Sequence, residues 1–222
     1  MSVENIRIVI IRHGRTRGND EGRYIGCRSD EPLSEEGINE IIAARSAFST
    51  LFDEDTVVFS SPMKRAVDTA CLLFSGMVPI TVGELKETDF GCFEGHNHAE
   101  LDGNAAYQRF IDSRGEEGFP QGESRDEFIQ RTMQGFHRIL YGDRSYRENS
   151  VANGDETKNT DNFAIVCHGG NIMAVMSELT GRDYYDFHVP CLDGYILELR
   201  LDTDNERILD LTYNRIGAGM SG

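Results

Sequence analysis

Apolar residues in this chain fall into short unbroken runs that alternate with longer stretches of helical spacing. Ile8–Ile11 is a run of four β-branched residues, which reads as a strand buried on both faces inside a parallel sheet. Asn162–Cys167, Thr56–Phe59 and Val78–Val82 are further short runs of strand length. Between them, Ser34 precedes Glu35 and Glu36 at the start of a stripe formed by Ile38, Ile41, Ile42, Phe48 and Leu51. That order predicts a capped helix with one face on the sheet. Ser60-Ser61-Pro62 opens a second helix reaching about Phe74, with Pro62 suited to the first turn and Arg65 close behind it. Tyr107, Phe110 and Ile111 mark one side of a third helix. Ser124 and Glu127 stand at capping-box spacing before the stripe Phe128, Met133, Phe136, Ile139 and Leu140. A further helix follows His168 to about Leu179, with Gly181 as its stop. Tyr195–Leu201 and Arg207–Tyr213 alternate around Asp204-Asn205 as a hairpin does, which predicts an antiparallel edge. Strands alternating with helices predict a three-layer α/β fold, a mostly parallel sheet with helices on both faces.

Three segments lack such periodicity. Gly18–Pro32 is rich in Gly, Arg and acidic residues and reads as a loop over a site. Glu84–Gly95 is acidic and punctuated by glycine. Asp143–Asp161 is polar and long for a connection inside a domain, which predicts a mobile surface loop.

With 222 residues, the chain can bury one full core, so a single domain over 1–222 with an inserted cap is expected. The formal net charge of −16 argues against nucleic acid or an anionic membrane as partner, so any phosphate site must be basic only locally. Lysine occurs only at Lys64, Lys86 and Lys158; arginine, whose planar fork suits bidentate phosphate binding, supplies the rest of the positive charge. The cysteines, Cys27, Cys71, Cys92, Cys167 and Cys191, are odd in number and show no metal or redox spacing, as expected of reduced thiols in a cytoplasmic protein. No stretch has the length and apolarity of a membrane span or a leader segment.

Chemistry concentrates where two apolar runs stop. Ile8–Ile11 ends in Arg12, His13 and Gly14, and Asn162–Cys167 ends in His168, Gly169 and Gly170. Open α/β sheets bind ligands at the carboxyl ends of their strands, so two such endings point to one shared site. Histidines and carboxylates are also common metal ligands. Against that reading, the guanidinium of Arg12 beside them would repel a divalent cation and complement a phosphate dianion. His96, His98, His137 and His188 show no ligand pattern and receive no catalytic role.

The early Arg-His-Gly and the late strand-His-Gly-Gly resemble the histidine phosphatase superfamily, the phosphoglycerate mutase-like proteins, over nearly the whole chain. The resemblance implies that fold, with a cap around 88–125, and a phosphatase acting on a small-molecule phosphomonoester without cofactor or metal. It implies that His13 becomes the phosphohistidine, that Arg12, Arg65 and His168 form the phosphate pocket together with Gly169, and that Asn19 donates to a phosphate oxygen. Glu87, placed shortly before Phe90-Gly91, matches the family's proton donor; Glu84 and Glu94 are rivals. Beside arginines a carboxylate is driven toward ionisation, so a general acid here requires burial or the substrate's own charge. Arg15, where an acidic residue is frequent, and Cys167, where serine is common, depart from the pattern; Arg15 and Arg17 either extend the basic rim or solvate the loop. Phe90–Gly95 and Gly118–Ser124 resemble the branch that includes the α-ribazole phosphatases. Phosphoglycerate mutase is the alternative activity, and a binding protein that keeps the pocket without turnover is the alternative from another class. Monomer and homo-oligomer both remain open.

Overall fold

The computed structural model describes residues 2–53, 55–75, 77–142 and 160–216. Its strands are β1 (Val3–Arg12), β2 (Val57–Ser60), β3 (Ile80–Thr81), β4 (Thr160–Cys167), β5 (Gly194–Asp202) and β6 (Arg207–Arg215). Its α-helices are α1 (Arg17–Asp20), α2 (Glu35–Phe48), α3 (Lys64–Leu73), α4 (His98–Leu101), α5 (Ala105–Asp112), α6 (Arg125–Tyr141) and α7 (Gly169–Thr180). The strands form one sheet in the order β3-β2-β4-β1-β5-β6. β3, β2, β4 and β1 run parallel, β5 is antiparallel to β1, and β6 is antiparallel to β5. The three-layer, mostly parallel α/β architecture and its antiparallel edge are those expected from the sequence.

The period of two along β1 divides the core. Ile6, Ile8 and Ile10 join Phe136 and Ile139 of α6 and Ile172 and Val175 of α7 on one face. Val9 and Ile11 join Ile41 and Phe48 of α2 and Ala66 and Ala70 of α3 on the other. Each large aliphatic side chain buried this way stabilises the fold by roughly 1.5–3 kcal/mol.

Several boundaries move. β1 is longer than its apolar run because Val3–Arg7, though mixed in character, pair with β5 throughout and from Asn5 onward with β4 as well. The Val78–Val82 run shortens to Ile80–Thr81 at the sheet edge, leaving Val78 exposed. In α2, Ile41 and Phe48 are buried, whereas Ile38 and Ile42 are exposed, since they stand one position, about 100° around the helix, from the true core line. Pro62 lies before the N-cap Met63 of α3 rather than in its first turn. The Ser34 cap, the Ser124–Glu127 capping box and the left-handed Gly181 stop all form. Residues 143–159 of the expected polar loop lie outside the described residues, and 160–161 belong to β4.

A separate aromatic cluster of Phe93, Leu101 and Tyr107, flanked by Tyr24, Phe90, Phe110 and Phe119, packs apart from the two sheet-face clusters. The turns that carry it touch too closely for side chains: a Cβ on Gly91 would lie 2.1 Å from the carbonyl oxygen of Pro120, and one on Gly122 2.3 Å from that of Asp89. No helix among the described residues is long and apolar enough to cross a membrane.

Candidate active site

The carboxyl ends of β1, β4 and β2 are laced together past their last residues. The His13 amide donates to the carbonyl of Cys167 (2.9 Å) and the Ser61 amide to that of Val166 (2.9 Å). This brings Arg12, His13, His168 and Ser61 to one rim of the sheet. His13 is 3% exposed, and its Nδ1 lies 2.7 Å from the carbonyl oxygen of Gly14. A carbonyl can only accept, so the proton sits on Nδ1 and Nε2 keeps a free lone pair. Gly14 is itself tethered, its amide donating to Thr69 Oγ1 on α3 at 2.9 Å. The rings of His13 and His168 meet edge-on with centroids 5.0 Å apart.

Burial first, then the charges of Arg65 and Arg12, hold His13 well below its ordinary pKa. The larger contribution, burial, was not visible in the sequence. His168 is fully buried and shifted in the same direction, by burial, Arg65 and His13. Both imidazoles are therefore neutral at physiological pH.

Arg65 is the largest fully buried side chain. Its guanidinium donates to the carbonyls of Ser29 (3.1 Å), Ile25 (3.2 Å) and Gly26 (3.3 Å), so the 25–29 turn of the expected site loop is wrapped around it. Arg12 donates from Nη1 to Val189 O at 2.8 Å, while its Nε is buried with no partner among the described residues. Among those residues no group of three or more His, Cys, Asp or Glu gathers as metal ligands.

Glu87 reaches the same point from the segment after β3. Its Oε1 accepts from the Thr88 amide at 2.8 Å, and its Oε2 lies 4.0 Å from Nδ1 of His168. Burial raises its pKa, opposed by the Thr88 bond and by Arg65 and Arg12; desolvation outweighs the two cations. The rival carboxylates are engaged elsewhere. Glu84 pairs with Arg138 at 2.6 Å, which lowers its pKa, and Glu94 accepts from the Gly26 amide at 2.9 Å. A cavity of about 490 Å³ opens on Arg12, Glu87, Gly169 and Gly170, and neither Glu84 nor Glu94 lines it.

The structure thus brings Arg12, His13, Arg65, Glu87 and His168 together and sets Gly169, the first residue of α7, beside Arg12. Asn19 stands apart from this cavity. Its Oδ1 accepts from the Thr16 amide at 3.1 Å in a capping box of α1, and it lines a neighbouring open cleft that shares Arg12. Arg15 pairs with Asp20 and Glu40, and Arg17 with Glu21, so both serve the solvated loop surface. Of the four histidines given no role, His188 does line the cavity, and burial lowers its pKa.

Three contributors escaped the sequence reading. Ser61 Oγ lies 2.8 Å from His168 Nε2; its place just past a strand end was the available signal. Gly170 has no room for a side chain, since a Cβ there would lie 2.8 Å from Glu87 Oε1 and 2.9 Å from Phe128 Cζ. Arg131 of α6 forks onto Glu123 (2.9 and 2.8 Å) and also donates to the carbonyls of Glu84 (2.7 Å) and Lys86 (3.0 Å), anchoring the segment that carries Glu87. Nothing in its helical spacing marks it.

Residues 8–213 match the family model described as histidine phosphatase superfamily (branch 1). The chain is 30% identical over 179 residues to a glucosyl-3-phosphoglycerate phosphatase of Mycolicibacterium vanbaalenii, covering 79% of this chain and 74% of that protein. It is 33% identical over 140 residues to a bifunctional protein of Mycobacterium tuberculosis, covering 61% of this chain but spanning only 38% of that longer protein. The crystal structure of a putative α-ribazole-5'-P phosphatase from Escherichia coli superposes with a TM-score of 0.72 at 23% identity, over 94% of each chain. This last likeness is one of fold.

Proposed function

The chain belongs to the histidine phosphatase superfamily, and from that premise we propose that it is a metal-independent phosphatase hydrolysing a small-molecule phosphomonoester through a phosphohistidine on His13. The observation that carries the reading is the His13 Nδ1 contact with Gly14 O at 2.7 Å, which leaves the Nε2 lone pair to attack phosphorus. Attack forms the N–P bond and breaks the ester P–O bond, and the departing alkoxide takes the proton held by Glu87. Water, giving its proton back to Glu87, then cleaves the N–P bond and releases inorganic phosphate. Arg12, Arg65, His168 and the Gly169 amide at the start of α7 hold the equatorial oxygens, whose charge must be stabilised throughout. Asn19 serves at the edge of this pocket, its amide nitrogen donating to phosphate.

In this proposal residues 88–125 form a cap on a single domain, and the protein acts in a cytoplasmic setting suited to its five unpaired cysteines. Hydrolysis is favoured over a mutase reaction because the relative that matches 79% of this chain is named a phosphatase. An α-ribazole phosphate is one substrate of the size this cavity admits.

The test is turnover of p-nitrophenyl phosphate and a panel of alkyl phosphates with and without chelator, together with acid-labile phosphate trapped on the protein. Chelator-insensitive hydrolysis, a trapped phosphohistidine in the wild type and a loss of several powers of ten in His13→Ala are expected. Efficient interconversion of phosphoglycerates, or metal-dependent activity, would overturn the reading.

A further inference from the structure

The cavity that opens on the reacting groups is far more aromatic than a phosphate requires. Phe90, Phe110, Phe119 and Phe128 line it together with Tyr184 and Tyr185. Phe119 packs against Phe110 and Phe90 with centroids 4.5 and 4.9 Å apart. The wall is preformed, since the turns beneath it interlock at Gly91 and Gly122. Phe128 adjoins Gly170 and hence the phosphate end. Arg125 stands three residues before Phe128 on α6, about one turn farther out at ~1.5 Å rise per residue.

Although the chain carries a formal charge of −16, the cavity is lined by three arginines and one carboxylate, Glu87. Arg125 is 27% exposed; its Nη1 donates to the Arg114 carbonyl at 3.4 Å and its Nη2 forms only a long, exposed ion pair with Glu116 at 3.8 Å, a partner that an acidic ligand can replace.

We propose, resting on the phosphatase reading above, that the alcohol half of the substrate is an aromatic ring bearing an acidic group. The ring lies among Phe110, Phe119 and Phe128, and Arg125 meets the acid. Aromatic rings favour edge-to-face and offset contacts with such a wall, and an arginine fork suits a carboxylate or a second phosphate.

Four alkyl phosphates with leaving groups of similar basicity test this: ethyl, cyclohexylmethyl, benzyl and 4-carboxybenzyl phosphate, compared by kcat/KM on the full chain. Benzyl phosphate should exceed ethyl phosphate by about 10- to 100-fold, the range that burial of a phenyl-sized group gives, and should exceed cyclohexylmethyl phosphate. The added carboxylate should contribute a further ~2- to 5-fold, as partly exposed ion pairs do. Phe119→Leu and Phe110→Leu should lower the benzyl-to-ethyl ratio, and Arg125→Gln the carboxybenzyl-to-benzyl ratio. Equal use of ethyl and benzyl phosphate, or of cyclohexylmethyl and benzyl phosphate, overturns the aromatic assignment; a carboxylate without benefit overturns the role of Arg125. If those results come from a protein that hydrolyses p-nitrophenyl phosphate in a His13-dependent way, the phosphatase reading survives. If no phosphate is hydrolysed, both fall.

Discussion

The hydroxyl oxygen of Ser61 lies 2.8 Å from Nε2 of His168, with both side chains fully buried. That oxygen also accepts from the Met63 amide at 3.3 Å, and a hydroxyl proton directed at Nε2 then uses both of its functions. With Nε2 accepting, the imidazole proton stands on Nδ1, which is buried, has no hydrogen-bond partner among the described residues and lies 4.0 Å from Glu87. In the proposed reaction Ser61 is a positioning residue, one that would turn His168 into a donor for the phosphate.

Ser61→Ala should therefore lower kcat/KM about tenfold, the worth of one buried hydrogen bond. Nitrogen chemical shifts of His168 should report a mixed tautomer, which a merely structural role would not produce. Ser61→Thr, which keeps the hydroxyl, should restore both. Unchanged shifts in the alanine variant would remove the assignment.

How much of this was readable in advance differs by residue. Arg12, His13 and His168 adjoin apolar strand runs, and the end of such a run announces itself. Arg65 has no such local mark; as a helix-surface arginine it would be ordinary, and only its resemblance to a family pattern raised it. The spacing of Ile38, Ile41 and Ile42 fits a helix face but cannot choose among neighbouring positions, because the partner surface decides which is buried. Phe110 reads as one side of a helix for the same reason: a pattern reports which face is apolar, not whether that face packs on protein or, as here, lines a cavity. Arg131 acts through carbonyls far away in sequence, and those contacts exist only after folding.

Acid should destabilise the protein through its two histidines. With His13 and His168 held well below 6.5 in the fold, the unfolded chain binds more protons than the folded one between that lowered range and 6.5. Stability contributed there is present above pH 6.5 and is lost as pH falls through it. Glu87, raised above 4.5, works in the opposite sense and offsets part of this. Tm should fall between pH 7 and pH 5, and His13→Gln should reduce that fall by about 2–4 °C per kcal/mol of linkage. An identical fall in the variant would show that His13 is not among its causes.

Arg131→Leu should cost about 2–3 kcal/mol, because it leaves Glu123 half-buried without its fork and frees the carbonyls of Glu84 and Lys86. It should also lower kcat more than it raises KM, since the displaced segment carries Glu87 and neither Arg12 nor Arg65. Arg131→Lys should recover little of either, as a point charge cannot serve the carboxylate and two carbonyls at once. Denaturant unfolding and steady-state kinetics on the same preparations check both statements, and full recovery in the lysine variant would refute the fork.

The role of Glu87 is separable by choice of leaving group. Burial raises its pKa against the opposing charges of Arg65 and Arg12, and neither rival carboxylate lines the cavity. A donated proton matters most when the departing oxygen is strongly basic, as in an alkyl phosphate, and little for nitrophenolate. Glu87→Gln keeps the size of the side chain and can still face His168, but it has no proton to give. Alkyl phosphate hydrolysis should fall by about 10²–10⁴-fold, with a much smaller loss on p-nitrophenyl phosphate. Glu84→Gln, which loses its contact with Arg138, should change neither rate by more than about twofold, in keeping with the small worth of surface pairs. Equal losses on both substrates in Glu87→Gln would make Glu87 a positioning residue. A selective alkyl phosphate loss in Glu94→Gln instead would transfer the acid to that side chain.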